Sequence, residues 1–297
     1  MNSRKLNLGL FSNINNENDM KNTILSWKSN DGLDIFGQKW ESEDKPAKAV
    51  ICLVHGFGEH SSRYEHVAQF FTDNNYAVIA YDHRGHGRSG GKRGHFLSYD
   101  EFMNDVENLV KQADPNFPGL PKIIYGHSMG GNVVANYAIK RNPKVAGIIL
   151  SSPFFQPGFA PPAIKLAAGR LMRNLIPSFS LPSGLDVNAI SRDKEVVNKY
   201  SKDPMVFDSI SSKMGIELIE FGQEAVQNAA KLTLPTLLFH GTADQLTSFD
   251  ESKKFADSAG KNLTFIEYKG LYHECHNEPE KAEVLQNMLK WCNNLIG

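Results

Sequence analysis

The sequence predicts an α/β fold, a mostly parallel sheet flanked by helices, and three observations carry that expectation. Short apolar runs alternate with longer stretches of helical period along most of the chain. One such alternation, Ile123-Ile124-Tyr125 followed by Gly126-His127-Ser128-Met129-Gly130 and the stretch from Gly131 to Ala138, reads as strand, sharp turn and helix with a serine at the apex. From residue 153 to 230 the rhythm breaks into proline-rich and polar sequence. Strands joined through helices need crossover connections, which make neighbouring strands parallel and bury the central ones on both faces.

Taken in order, the polar stretch NINNENDMKN over residues 13–22 can bury little, and a mobile tail is expected over 1–24. Strands are expected at Leu33 to Trp40, Ala49 to Val54, Ala77 to Tyr81, Lys122 to Tyr125, Ala146 to Leu150, Thr236 to Phe239 and Leu263 to Tyr268. Helices are expected at His66 to Asp73, Tyr99 to Gln112, Asn132 to Lys140, Phe249 to Ala259 and Glu280 to Leu295. The core thus comprises residues 25–152 and 231–297, with 153–230 inserted as a cap or lid. Pro153, Pro157, Pro161, Pro162, Pro177 and Pro182 punctuate this insertion. In it Ile164, Ala168, Leu171, Met172 and Leu175 share one helical face beside Lys165, Arg170 and Arg173. The simpler reading is that this face closes over the core; a transient contact with a membrane surface is the sharper one.

Composition narrows the function. The formal net charge of -1 argues against a nucleic-acid binder, which needs a basic surface. The odd set Cys52, Cys275 and Cys292 lacks CxxC spacing, so neither a disulfide framework nor a zinc ribbon is expected. The apolar stretch Leu6 to Phe11 is short and broken by Asn7 and Gly9, unlike a secretory leader, and no segment has transmembrane length. A cytoplasmic protein, peripheral to membranes at most, is the expectation.

A serine hydroxyl attacks only when a base takes its proton, so the elbow at Ser128 calls for a carboxylate and a histidine further along. His240-Gly241-Thr242-Ala243-Asp244 ends the expected strand Thr236 to Phe239, which puts Asp244 at a strand's carboxyl end. Asp250 competes with it but opens the next helix, where an acid suits the helix dipole. For the base, both His273 and His276 in Tyr272-His273-Glu274-Cys275-His276 qualify, and His273 is favoured as the first after strand and turn. The oxygen that becomes negative needs backbone donors: Met129, the residue after the serine, and Phe57 in His55-Gly56-Phe57-Gly58-Glu59. The pairs His83/His86 and His273/His276 raise a metal site as an alternative. Neither has the HExxH form and no cysteines or carboxylates cluster around them, so no metal and no cofactor is expected.

Together these motifs resemble the monoacylglycerol lipase family of α/β-hydrolases, from about residue 25 to the end. The resemblance rests on the stretch from His55 to Tyr64, the segment Asp82 to Ser89, Gly126 to Gly131, Gly241 to Asp244 and Tyr272 to His276. Within the cap it rests on Leu181-Pro182-Ser183, Ile190 to Lys194 and Tyr200 to Pro204. It implies a triad of Ser128, Asp244 and His273, with Phe57 and Met129 as oxyanion donors. It also implies that Glu59, Arg63, Tyr200 and His276 surround the glycerol end of a monoacylglycerol, which gives His276 a role distinct from the base. A lysophospholipid or another carboxylic ester is the alternative substrate for the same machinery. Thr247 stands where the mammalian members carry a cysteine, and Phe57 replaces a smaller residue, so acyl-chain preference and thiol sensitivity do not carry over.

Overall fold

The computed structural model describes residues 20–297. Ten strands and eight α-helices follow in the order β1 (Met20–Lys28), β2 (Asp34–Ser42), β3 (Ala49–Val54), α1 (Glu65–Asp73), β4 (Tyr76–Tyr81), α2 (Tyr99–Asn116), β5 (Lys122–His127), α3 (Met129–Arg141) and β6 (Gly147–Ser151). Then come α4 (Ala163–Leu175), β7 (Ser180–Pro182), α5 (Lys194–Lys202), β8 (Ser209–Ser211), α6 (Ser212–Gln227), β9 (Thr236–Gly241), α7 (Phe249–Ala259), β10 (Leu263–Tyr268) and α8 (Lys281–Ile296). Eight strands form one sheet in the order β1-β2-β4-β3-β5-β6-β9-β10. It is parallel from β4 to β10, while β1 and β2 run antiparallel at one edge, so the mostly parallel α/β sheet expected from the sequence is what forms.

Burial explains which strands take the middle. Every residue of β3 and β4 is buried, because helices cover both faces and the two strands hold only apolar and aromatic side chains. Strand β1 instead alternates exposed and half-buried residues and pairs along its whole length with β2, from Met20 opposite Ser42 to Lys28 opposite Asp34. This corrects the expected tail: residues 20–24 belong to the sheet, and 1–19 lie outside the described residues. An edge strand with one wet face tolerates Lys21 and Asn22, because its ladder bonds and the inward packing of Leu25 and Trp27 hold it.

Between β6 and β9 the chain leaves the sheet for α4, the β7–β8 pair, α5 and α6. The insertion is anchored on α3: the side-chain amide of Asn132 donates to the carbonyls of Phe154 and Leu218, and that of Asn136 donates to Phe221. Helix α4 contributes no buried residue. Among the described residues no helix is long and apolar enough to cross a membrane.

Candidate active site

The parallel strands bring their carboxyl-terminal loops to one edge of the sheet, where ligands of open α/β folds bind. Ser128 lies between the last residue of β5 and the first of α3 with φ 53° and ψ −116°, a conformation that costs a non-glycine residue energy. Its backbone is over-determined: the N–H donates to Ser151 at 2.9 Å, and the carbonyl accepts from Asn132 at 3.0 Å and Phe154 at 2.9 Å. The flanking glycines are required by crowding, since a Cβ on Gly130 would stand 2.5 Å from the His55 carbonyl oxygen and one on Gly126 2.6 Å from that of Gly130. Helix α3 therefore starts at Met129 rather than at Asn132 as expected, which sets its positive dipole end against the serine.

Asp244 follows β9, and its side chain is fully enclosed. Its Oδ2 accepts from His273 Nδ1 at 2.8 Å, His240 Nε2 at 2.9 Å and Thr247 Oγ1 at 2.7 Å. Its Oδ1 accepts the N–H groups of Leu246 at 2.8 Å and Thr247 at 3.0 Å. Burial opposes ionisation, yet the His273 charge and the bonds from both histidines hold the carboxyl well below the usual range. His273 mirrors this: burial disfavours its charge, but Asp244, through charge and hydrogen bond, leaves its pKa above 6.5. With Nδ1 committed to Asp244, Nε2 is the nitrogen left for proton transfer. Asp250 instead sits in the first turn of α7, behind the Ser248 cap.

The loop after β3 abuts the serine: a Cβ placed on Gly56 would lie 3.3 Å from that of Ser128. Among the described residues neither Phe57 N–H nor Met129 N–H donates to a protein acceptor. Beside this loop the four residues assigned by resemblance to the polar end form one cluster. Arg63 lies over the Tyr200 ring at 4.6 Å, Glu59 accepts from the Tyr64 phenol at 2.7 Å, and the Tyr64 ring stacks on His276 at 5.0 Å. His276 Nδ1 meets the Tyr125 phenol at 3.2 Å. The His83 imidazole is committed at both nitrogens, to the Tyr81 phenol at 2.8 Å and the His55 carbonyl at 3.0 Å. Among the described residues no group of three or more His, Cys, Asp or Glu is arranged to hold a metal ion.

Three contacts escaped the sequence reading. His240 joins Asp244 and the Ser252 hydroxyl, the latter at 2.8 Å; its position four residues before Asp244, at the end of a buried strand, was the available signal. Thr247 bears on the carboxylate directly, although its hydroxyl type alone did not announce it. Glu274, beside His273, binds Arg63 through both oxygens at 2.8 Å, a contact between residues 211 positions apart that no local pattern encodes.

Comparison with known proteins gives the chain's family and relatives. The family model described as serine aminopeptidase, S33, matches residues 45–280. The chain is 38% identical over 262 residues to the monoacylglycerol lipase of Mycolicibacterium smegmatis, covering 88% of this chain and 93% of that one. It is 34% identical over 254 residues to the human monoglyceride lipase, covering 84% and 82%. The crystal structure of the Paleococcus ferrophilus monoacylglycerol lipase superposes with a TM-score of 0.80 at 32% identity, covering 88% of this chain and 98% of that one.

Proposed function

Because the chain belongs to the serine aminopeptidase S33 family of hydrolases, and within it to the monoacylglycerol lipases, we propose that it hydrolyses monoacylglycerols to glycerol and fatty acid through an acyl-enzyme. The observation that carries this reading is the 2.8 Å bond from His273 to a buried Asp244, on loops at the same sheet edge as the strained Ser128. His273 Nε2 takes the Ser128 proton as the hydroxyl oxygen attacks the ester carbonyl. Phe57 and Met129 N–H groups stabilise the negative oxygen, with the α3 dipole behind Met129. The proton then passes from His273 to the departing glycerol oxygen, and a water activated by the same nitrogen frees the fatty acid. Asp244, kept ionised, orients the imidazole and stabilises its charged form.

The cluster of Glu59, Arg63, Tyr200 and His276 provides the polar end of the site for the glycerol hydroxyls, while the acyl chain runs under the insertion. Helix α4 offers a transient membrane contact: Ile164 is 79% exposed, Leu171 59% and Leu175 67%, beside Lys165, Arg170 and Arg173. Three unpaired, buried cysteines suit a reducing compartment such as the cytoplasm.

The test is fatty-acid release from a monoacylglycerol by the wild type and by Ser128→Ala, run beside lysophosphatidylcholine, a short aryl ester and an aminoacyl arylamide. Release that disappears in the variant supports the reading. Faster turnover of the lysophospholipid or the arylamide by the wild type would replace the substrate while retaining the serine mechanism.

A further inference from the structure

Behind the oxyanion loop lies an ion cluster that touches two of the loops serving Ser128. Glu59 Oε1 accepts the Gly56 N–H at 2.7 Å and the Tyr64 phenol at 2.7 Å, and Oε2 is bound by Arg63 Nη1. Arg63 reaches on to the base loop with one 2.8 Å bond to each oxygen of Glu274, the residue after His273. Glu274 is further fixed by Asn277 Nδ2 at 2.7 Å. Glu59 is 2% exposed and Glu274 3%, so the guanidinium fork joins two desolvated carboxylates.

The next peptide, Gly56–Phe57, is held as well. His55 Nδ1 donates to the Gly56 carbonyl at 2.7 Å, while His55 Nε2 accepts the N–H of His83 at 2.9 Å, which fixes the neutral Nδ1–H tautomer. The Gly56–Phe57 peptide is trans, so its C=O and N–H point in opposite directions. Clamping the Gly56 carbonyl through His55, and the Gly56 N–H through Glu59, sets the direction of the Phe57 N–H.

We infer that Glu59 and Glu274, joined through Arg63, are positioning residues that lock the oxyanion loop to the loop carrying His273, so that the Phe57 donor and the base keep one geometry about Ser128. The inference rests on the serine-hydrolase reading of the site and adds to the head-group role proposed above. Gly56, Tyr64 and Arg63 already occupy most of the acceptor positions of the Glu59 carboxylate, so its main work is within the protein. Glu274 likewise faces Arg63 and Asn277 and carries its function through its neighbours.

The experiment compares Glu59→Ala and Glu274→Gln with the wild type on a monoacylglycerol and on a short-chain aryl ester, which has no glycerol. The expected result is a kcat lower by about 10- to 100-fold on both esters with the aryl-ester KM changed less than about twofold, a fraction of what loss of a whole oxyanion donor costs. A rise in KM confined to the monoacylglycerol, with kcat kept, would overturn the inference and leave only head-group contact. Unchanged kcat on both esters would overturn it as well. Thermal melting identifies a variant that fails to fold; should Glu59→Ala do so, the near-isosteric Glu274→Gln decides. Since the aryl ester needs no glycerol site, a wild type inactive on monoacylglycerol would defeat the substrate proposal while the bridge was still tested.

Discussion

Acidification from about pH 7 to about pH 5 is expected to weaken this fold, because the chain buries several neutral imidazoles around its site. Burial, followed by the charge of His273, pushes His127 down to about 4, and burial followed by His55 pushes His86 down to about 3, each from 6.5. Burial also takes His55 down to about 4. A depressed histidine binds its proton below pH 6.5 in the unfolded chain but only below its folded pKa in the native one. Its effect is therefore negligible above that window and grows as pH falls through it. At about pH 5 the unfolded ring is mostly protonated and the native ring mostly not, which costs about 2 kcal/mol per histidine whether the folded value is nearer 3 or 4. Three such rings cost roughly 5 to 6 kcal/mol. Two groups oppose them. Asp105, raised by burial to about 6, favours the native state by about 1 kcal/mol at this pH. His273, raised by Asp244 against its burial, contributes stability that is complete below 6.5 and lost as pH rises through its folded value. Set against Asp105 alone, the three rings leave a loss of roughly 4 to 5 kcal/mol, which His273 reduces; that is a large share of the 5 to 15 kcal/mol typical of a domain. Urea unfolding at the two pH values, with m compared, measures it; stability that is flat or rises on acidification would refute the reasoning. Activity falls first, since kcat/KM needs neutral His273 and its acid limb is expected above 6.5.

Gly130→Ala would press a methyl against the Val54 and His55 carbonyl oxygens, both backbone, and should cost several kcal/mol or force α3 off β3; a melting temperature within about 2 °C of wild type would contradict that crowding. Thr247→Val removes the hydroxyl donor from Asp244 Oδ2 at nearly constant volume, and a hydrogen bond to a buried charge is worth about 1.5 to 3 kcal/mol. A fall of about tenfold or more in kcat/KM is expected from steady-state kinetics, and full activity would assign that bond no role. Replacing Leu171 and Leu175 by serine should change stability by less than about 1 kcal/mol, because both are exposed, yet reduce turnover of vesicle-borne substrate more than that of a soluble ester. Equal losses on the two would make α4 a purely structural lid.

The strands that form the sheet's middle were legible because each is a short apolar run next to helical sequence. The elbow was legible because glycines, strand and helix lie within a few residues of Ser128. Order along the chain also suggested Asp244 and a histidine after the last strand, and left His273 and His276 to be weighed on position and resemblance. Strand β1 was not legible, since an edge strand with one wet face has the composition of a tail. Nor was the bridge from Glu59 through Arg63 to Glu274, nor the second histidine on Asp244.

Local pattern by itself determined the sheet-and-helix alternation and the sharp turn at Ser128, because these depend on side-chain period and backbone freedom within about ten residues. Tertiary structure alone decided which imidazole meets the buried carboxylate, which face of α4 stays in solvent and which charges are paired. Those outcomes depend on desolvation and on hydrogen-bond geometry between segments up to 211 residues apart, and a linear sequence of residue types carries neither.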